Sequence, residues 1–299
     1  MSPIFFSKTL LIFITYVYLY HIIFRVLEVY FLDIIHIDEL LFPIGNGITI
    51  PIHGTSNGLH YIVKTFNNVE GNKTLINELV CYLIAKKLSL PIPDAKLGII
   101  DKNTKIDENV SELEDFSEDC FGLAFCSTYL NPVTTISSSK MLKLSSNYKW
   151  LLPKLMLFDH LVYNKDRNKG NLLISLSKNN NQLFIIDHSH TFNLEAIWNS
   201  IGLEQKMQEF DIYDDRIMLG NWYHYSKFKT VSNIDILTMK DTVNYFRENL
   251  SKDFFESLVD NIPEVWENDK EEIRALIKYL LYRFEHLDVF ADIIANTNY

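Results

Sequence analysis

The loop Asn164–Asn171 has the sequence NKDRNKGN, and the run Leu172–Leu176 (LLISL) that follows it predicts a β-strand. Asp166 and Asn171 lie five positions apart in this polar loop. Asp and Asn are common turn formers, so each of them taken alone is more often structural than catalytic. Their spacing directly before a strand makes this loop the first candidate for a functional site.

A β-hairpin is predicted behind the loop. Residues 182–186 (QLFII) form its second strand, and the polar stretch 177–181 (SKNNN) forms its turn. The hairpin returns Asp187 to the end of the loop that carries Asp166 and Asn171. Phosphoryl transfer requires an acceptor for the proton of the attacking hydroxyl and oxygen ligands for Mg²⁺. The two Asp side chains and the Asn side chain can supply these groups.

Two charged residues upstream lie among apolar neighbours. Lys64 stands in the predicted strand 60–66 (HYIVKTF), and Glu78 stands in the predicted helix 74–88 (TLINELVCYLIAKKL). A buried strand excludes lysine unless the ammonium is paired. An ion pair between Lys64 and Glu78 that holds the α- and β-phosphates of a nucleotide would satisfy both. The alternative is two surface side chains whose charged ends reach water.

A glycine-rich segment precedes the Lys64 strand. Residues 44–51 (IGNGITIP) predict a strand–turn–strand, and glycines allow backbone amides to approach phosphate closely. Gly45, Gly47 and Thr49 are therefore candidates for ATP binding. The signal is weak in isolation, because the segment lacks both the third glycine of the eukaryotic kinase loop and the GK[ST] of a P-loop. Its position before the Lys64 strand supports the prediction that it binds ATP.

The order of predicted elements indicates an α+β protein with two lobes. Short strands are expected at 96–100 and 121–129, on either side of an acidic, exposed loop at 102–119. Asn131-Pro132 marks a linker. Beyond it, the pattern predicts the helices 150–163, 239–259 and 269–287, with the hairpin embedded among them.

Composition and charge exclude several classes of protein. Hydrophobic residues make up 47% of the 299 residues, which is enough for a packed core. The formal net charge of −10 and the lack of a basic run argue against nucleic-acid binding. The three cysteines include no CxxC pair, so they are expected to be small core residues, as in a protein of the reducing cytoplasm.

The N-terminus carries an uncharged apolar run at residues 9–24, TLLIFITYVYLYHIIF. It is shorter than the ~20 residues of a typical membrane span, and no small-residue cleavage site follows it. Three interpretations stay open for residues 1–36: a membrane anchor, a segment upstream of the functional domain that arises from a wrong start site, and an ordinary buried helix. The expected location is the cytoplasm, with membrane association under the first interpretation.

The order of these motifs resembles that of the HipA-like kinases. The resemblance runs through the glycine-rich turn, the VK strand, the NEL helix, LPIP, FD…NKDRNKGNLLI and LFIIDH, over roughly residues 40–195. It implies a two-lobed protein kinase-like fold, with a β-rich N-lobe that holds one key helix and a mostly helical C-lobe that holds the catalytic β-hairpin. The N-lobe would span about 37–130 and the C-lobe about 131–299.

The resemblance also implies roles for single residues. Lys64 would bind phosphates with Glu78 as its partner, Asp166 would be the catalytic base, and Asn171 and Asp187 would bind Mg²⁺. Three further residues would line the adenine pocket: Phe125, Cys126 and Ser127. The sequence departs from eukaryotic kinases after Asp187, where His188 and Ser189 replace Phe and Gly.

The expected activity is ATP- and Mg²⁺-dependent transfer of a phosphoryl group to a hydroxyl, with a protein Ser or Thr as the acceptor implied by the family alone. Two other functions stay open. One is a nucleotide-binding module that does not turn over, and the other is a small-molecule or lipid kinase.

Overall fold

A seven-stranded sheet forms from the first half of the chain in the computed structural model, which describes residues 32–45, 50–176 and 180–297. Within these residues the strands are β1 (Ile34–His36), β2 (Glu39–Pro43), β3 (Ile52–Ser56), β4 (Leu59–Lys64), β5 (Ala95–Ile100), β6 (Lys105–Ile106) and β7 (Gly122–Thr128). Their order across the sheet is β1-β5-β7-β4-β3-β2-β6. β1 pairs with β5 and β2 with β6 in parallel, and the other neighbours are antiparallel. β4, which carries Lys64, therefore lies at the centre of the sheet.

Helix α1 (Lys73–Lys87) is buried along nearly its whole length and contacts β7. The helix predicted at 74–88 is thereby confirmed. Its apolar side chains occur on almost every face, which is typical of a helix enclosed by protein rather than lying on a surface. Lys86 and Lys87 in its last turn are favourable at the negative end of the helix dipole.

The second half of the chain is mainly helical and includes a three-stranded sheet. This sheet has the order β10-β9-β8, formed by β8 (Val133–Thr135), β9 (Leu172–Ser175) and β10 (Gln182–Ile185). The predicted hairpin is therefore confirmed, and β8 adds a strand that the sequence pattern did not indicate. The helices after the short α2 (Glu108–Ser111) are α3 (Ser139–Leu142), α4 (Tyr148–Leu161), α5 (Ser200–Gln208), α6 (Arg216–Gly220), α7 (Trp222–Val231), α8 (Ile236–Asn249), α9 (Lys252–Ser257), α10 (Lys270–Glu285) and α11 (Leu287–Asn296).

The single helix predicted at 239–259 is wrong, because the structure has two helices there. α8 ends before Leu250, whose backbone is extended, and α9 begins after Ser251. The Ser251 side chain accepts a hydrogen bond from the backbone N–H of Phe254 at 3.1 Å. This is the N-cap arrangement that serine favours, and it starts a new helix where apolar periodicity continues without a break.

Two loop predictions also differ from the structure. The strands expected within 44–51 lie on either side of that segment, as β2 and β3. Ile44 N donates to Pro51 O at 2.7 Å at the base of the segment that joins these two strands. The acidic segment 102–119 is not a plain loop, since it contains β6 and α2. The Asp107 side chain caps α2 by accepting from Asn109 N, an arrangement for which acidic residues are well suited.

A hydrophobic cluster covers one face of the sheet. Its buried members include Ile37, Leu40, Val63 and Cys126. All three cysteines are buried and unbridged, so their predicted role as small core residues is confirmed. Burial raises the pKa of the Cys126 thiol, which keeps it protonated in this apolar setting.

The expected α+β class, with a β-rich first lobe and a helical second lobe, is confirmed. The division of the chain at residues 36 and 37 stays a prediction, and β1 at 34–36 is already part of the sheet. The apolar run 9–24 lies outside the described residues. Among the residues that are described, no helix has both the length and the apolar character needed to cross a membrane.

Candidate active site

Lys64 is the centre of a buried polar network at the end of β4, where its side chain is 9% exposed. Its ammonium donates hydrogen bonds to Glu78 Oε1, to Asp187 Oδ1 at 2.7 Å and to Ser189 Oγ at 2.7 Å. The predicted ion pair between Lys64 and Glu78 is therefore confirmed. Asp187 joins the same ammonium, so the central strand, α1 and the end of the hairpin meet at this one cation.

Strand alternation explains why Lys64 faces α1. Lys64 lies opposite Phe125 of β7, so the two side chains share one face of the sheet. The Phe125 ring packs edge-on to that of Tyr82 on α1, with 6.3 Å between ring centroids. Val63 and Cys126 are the adjacent pair and face the opposite side, in the hydrophobic cluster. The helix therefore receives the alternate residues of both strands.

The charges in the network hold one another in the ionised form. Burial by itself would lower the pKa of Lys64, but the carboxylates of Asp187 and Glu78 outweigh burial and raise it. Burial would likewise raise the pKa of Glu78 and of Asp187. The Lys64 ammonium outweighs burial in both, and their pKa values lie below the ordinary range. At neutral pH the network is one cation between two anions.

The turn after β10 shapes the anionic side of the network. Asp187 adopts a left-handed backbone conformation, with φ of 59°, which Asp tolerates better than most residues. The next two residues then point back at α1, because His188 N donates to Glu78 Oε1 at 2.9 Å and Ser189 Oγ donates to it at 3.1 Å. Ser189, where eukaryotic kinases have glycine, is thus a bridge between Lys64, Glu78 and Asp187.

Asp166 and Asn171 are in contact across the NKDRNKGN loop. Asn171 Nδ2 donates to the Asp166 backbone carbonyl at 2.7 Å, and the Asp166 carboxylate accepts from Asn168 Nδ2 at 3.2 Å. The Asn171 carbonyl accepts from Ile186 N at 3.2 Å, so the loop is bonded to the residue just before Asp187. The hairpin therefore joins the predicted loop residues to the Lys64 network through its own backbone.

Sequence reasoning missed the buried pair that holds this loop in place. Arg167 is fully buried, and its guanidinium donates to Asp159 Oδ1 at 2.7 Å and to the carbonyls of Asn171 and Ile186 at 2.9 and 3.0 Å. The same arginine thus binds the residue before the first strand of the hairpin and the residue after the second. Asp159 offered a signal, since an acid inside the apolar helix 150–163 needs a partner.

α7 also supports the loop from the side of the helical lobe. Asn221, just before it, accepts from Arg167 N at 2.7 Å and donates to the carbonyl of Asn164 at 2.7 Å. Tyr225 on the same helix donates to Asp159 Oδ2 at 3.0 Å. These polar groups are satisfied by one another, which is the condition for a buried network to be rigid.

A second missed cluster fixes α1. Asn77 Nδ2 donates to the carbonyls of Ser189 and Glu195, at 2.6 and 3.0 Å, while Asn77 Oδ1 accepts from the Trp198 indole at 2.8 Å. Lys73, one turn earlier, donates to the Trp198 carbonyl at 2.6 Å and lies over its ring. α1 is thereby attached to the segment that follows Asp187. An Asn beside the predicted Glu78 was the only sequence signal.

The remaining predicted residues occupy different places. Gly45 has φ of 69°, a conformation that favours glycine, and a side chain there would meet open space. Gly47 and Thr49 lie outside the described residues. Phe125 and Ser127 share the sheet face of Lys64, whereas the Cys126 side chain packs on the opposite face. Of these three, therefore, only Phe125 and Ser127 direct side chains towards the Lys64 side.

The side chains of Asn171 and Asp187 are of the kinds that would hold a magnesium ion. The Asn171 amide is oriented by its Nδ2 bond, so its Oδ1 is directed away from Asp166 O and accepts no hydrogen bond from the described residues. The Asp187 side chain is 36% exposed. Carboxylate and amide oxygens suit Mg²⁺, which commonly takes one or two protein ligands and completes its shell with phosphates and water. Within the described ranges, no group of three His, Cys, Asp or Glu residues forms a metal cluster.

Comparison with known proteins finds a family match and matches among solved structures. The family model described as HipA-like kinase matches residues 37–288. The crystal structure of the Helicobacter pylori proinflammatory kinase CtkA matches with a TM-score of 0.54 and 14% identity, over 87% of this chain and 99% of that one. At this identity the likeness shows the fold, which is that of a kinase. No curated protein matches the sequence.

Proposed function

Because the chain belongs to the HipA-like kinase family, we propose that it transfers the terminal phosphoryl group of ATP, with Mg²⁺, to a Ser or Thr hydroxyl of a protein. The kinase domain would comprise residues 37–299, with lobes at about 37–130 and 131–299. Family membership supports a kinase in general. The proposal adds that the phosphoryl donor is ATP, that the metal ion is Mg²⁺ and that the acceptor is a protein.

The observation that carries the proposal is the triple pairing of Lys64 with Glu78, Asp187 and Ser189. An ammonium held by a helix carboxylate is directed and kept charged, as a ligand for nucleotide phosphates must be. Asp187 shares this ammonium, so the proposed metal ligand lies beside the proposed phosphate ligand. A structural ion pair would need only one of the two carboxylates.

The remaining roles follow from position in the loop. When bound, Mg²⁺ would neutralise charge on the phosphates of ATP. Asn171 and Asp187 would hold it, and Lys64 would orient the α- and β-phosphates. Asp166, which is half-buried, would orient the acceptor hydroxyl and accept its proton.

Two substitutions test the proposal by separating these roles. Asp166→Asn should abolish transfer and keep ATP binding, because the group that acts on the acceptor is lost. Asp187→Ala should weaken Mg²⁺-dependent ATP binding, because a charged ligand is lost. The measurements are mass spectrometry of phosphorylated residues after incubation with ATP and Mg²⁺, and calorimetric titration of ATP.

Asp241→Asn, at an exposed position of α8, is the matched control and should behave as the wild-type protein does. Normal transfer by Asp166→Asn would refute its role as the base. ATP binding by the wild-type protein without any transfer would favour a nucleotide-binding module, and transfer to a lipid or small molecule in place of protein would favour the other alternative.

A further inference from the structure

Two lysines flank one tyrosine ring beside the NKDRNKGN loop. The Lys169 ammonium lies 4.6 Å and the Lys227 ammonium 3.0 Å from the centroid of the Tyr223 ring. Tyr223 and Lys227 are four residues apart on α7, which places them on one face of the helix. Lys169 reaches the same ring from the loop itself. We call these three residues the lysine clamp.

The lysine clamp is bonded directly to the proposed catalytic loop. His224, next to Tyr223, lies with its Nε2 2.8 Å from the carbonyl of Asn168. Asn168 in turn donates to the carboxylate of Asp166. The clamp therefore lies close to Asp166, with Tyr223 and Lys227 on α7 and Lys169 three residues after Asp166 in the loop that α7 holds.

Within the described residues no carboxylate pairs with the clamp, although the Lys227 ammonium donates to the Tyr223 backbone carbonyl at 2.5 Å. Neither ammonium forms a salt bridge there, although exposed lysines elsewhere do so, as Lys270 with Glu264 and Lys86 with Asp94. Burial lowers the pKa of Lys227, and the nearby charge of Lys169 lowers it further. In a chain of net charge −10, this concentration of positive charge favours an anion from outside.

We propose that the lysine clamp binds an acidic side chain of the acceptor polypeptide, next to the hydroxyl that is phosphorylated. This inference rests on the proposed function and names its substrate class: proteins with Glu or Asp close to the target Ser or Thr. Lys169 is exposed and Lys227 half-buried, on an open surface. A small anion is usually held in an enclosing pocket, whereas an extended polypeptide can use cations on a surface beside the site.

The test uses a serine peptide with glutamates next to the serine and the same peptide with glutamines instead. The wild-type protein should phosphorylate the glutamate peptide with the higher kcat/KM. An exposed ion pair contributes up to about 1 kcal/mol, so Lys169→Gln and Lys227→Gln should each reduce the preference by up to about fivefold. Lys240→Gln, at an exposed position of α8, is the matched control and should keep the preference.

Charge reversal gives the second arm. Lys227→Glu should favour a peptide with lysines in place of the glutamates, which loss of folding could not produce. Equal kcat/KM for both peptides in the wild-type protein would overturn the inference. A rise in KM for ATP in the two Gln variants, of the same size with either peptide, would also overturn it, because the lysines would then bind the nucleotide. Preferential phosphorylation of lipid in anionic vesicles by the wild-type protein would overturn it as well.

A binding measurement keeps this inference separate from the proposed function. Fluorescence anisotropy of the labelled glutamate peptide, at low salt, reports docking without turnover. Suppose that the wild-type protein binds the peptide but transfers no phosphate, and that the two Gln variants lose this binding. That result would refute the proposed function and support the clamp. Transfer to both peptides alike, without a difference in binding, would refute the clamp and support the proposed function.

Discussion

At the scale of single residues, the site depends on one buried lysine that two carboxylates share. Removing it would leave Glu78 and Asp187 close together without a cation, and burial would then raise the pKa of the buried Glu78 carboxyl. Breaking a buried pair by removing one partner typically costs about 3–5 kcal/mol. Lys64 is therefore expected to matter for both nucleotide binding and folding, and the two effects need separate measurements.

Lys64→Ala should weaken ATP binding by roughly 10- to 100-fold, the range expected for loss of a charge-assisted hydrogen bond of about 1.5–3 kcal/mol. Calorimetric titration of ATP at pH 7.5, on protein shown to be folded by circular dichroism, measures this. Lys105→Ala, at an exposed position of the edge strand β6, is the control. ATP binding and phosphorylation at wild-type levels by Lys64→Ala would show that the lysine does not bind phosphate.

The stability cost of the same substitution should depend on pH. In the wild-type protein the pKa of Glu78 is lowered on folding, so its stabilising effect is lost as pH falls through the folded value. In the variant its pKa is raised on folding, so protonation favours the folded form as pH falls towards about 4.3, the unfolded value. Urea unfolding at pH 7.5 and 5.0 should therefore show a smaller difference between the two proteins at the lower pH. A difference that grows would contradict the assigned charges.

At the scale of elements, α1 is attached to the segment that follows Asp187 and not only to the sheet. Asn77 and Lys73 lie on one face of the helix and both bind Trp198. Glu272, in the first turn of α10, lies 3.5 Å from the Lys73 ammonium. Because Glu78 is next to Asn77, these contacts set the position from which Glu78 reaches Lys64. Asn77 and Trp198 are thus positioning residues, which act through Glu78.

Trp198→Phe keeps a six-membered aromatic ring near Lys73, and it removes the indole donor to Asn77 together with part of a fully buried ring. The loss of one neutral buried hydrogen bond is worth about 1 kcal/mol, so kcat/KM should fall about fivefold. A positioning role predicts that Lys64→Ala and Trp198→Phe are not additive, because both act on the Lys64–Glu78 pair. Trp150→Phe, at an exposed position of α4, is the control. Additive losses would mean that Trp198 only stabilises the fold.

At the scale of the whole molecule, residues 32–299 form one compact unit that begins before the resemblance to the kinase family does. β1 pairs with β5, and the side chain of Asp33, just before β1, pairs with Lys96 on β5. The residues proposed to bind ATP, Mg²⁺ and the acceptor hydroxyl lie between Gly45 and Asp187. The residues before 32 are therefore expected to be dispensable for nucleotide binding, whereas β1 contributes to stability.

Two truncations distinguish binding from stability. A protein of residues 32–299 should bind ATP as the full chain does and unfold at the same temperature. A protein of residues 37–299 should also bind ATP but unfold several degrees lower, since loss of about 1–2 kcal/mol shifts Tm by about 2–4 °C per kcal/mol in a domain of this size. Loss of ATP binding by the 32–299 protein, with its circular dichroism intact, would show that the N-terminal segment belongs to the site.

The sequence by itself determined the parts of this protein that depend on local pattern and on the cost of burying charge. The hairpin follows from two strand-forming runs around a polar turn. The pairing of Lys64 with Glu78 follows because each charge lies among apolar residues and must find a partner. The contact of Asp166 with Asn171 is likewise local, because only five residues separate them.

Only the tertiary structure decided which distant groups complete the site. Trp198 meets Asn77 across 121 positions, and Asn221 meets Arg167 across 54. An indole or an amide in a polar segment can form hydrogen bonds with many groups, including water. No sequence pattern therefore predicts which partner it has in the folded protein. The side of the sheet on which Cys126 packs depended on the register of β7 against β4, because a shift of one residue turns every side chain of a strand to the other face. Such choices are settled by packing, which no local stretch of sequence contains.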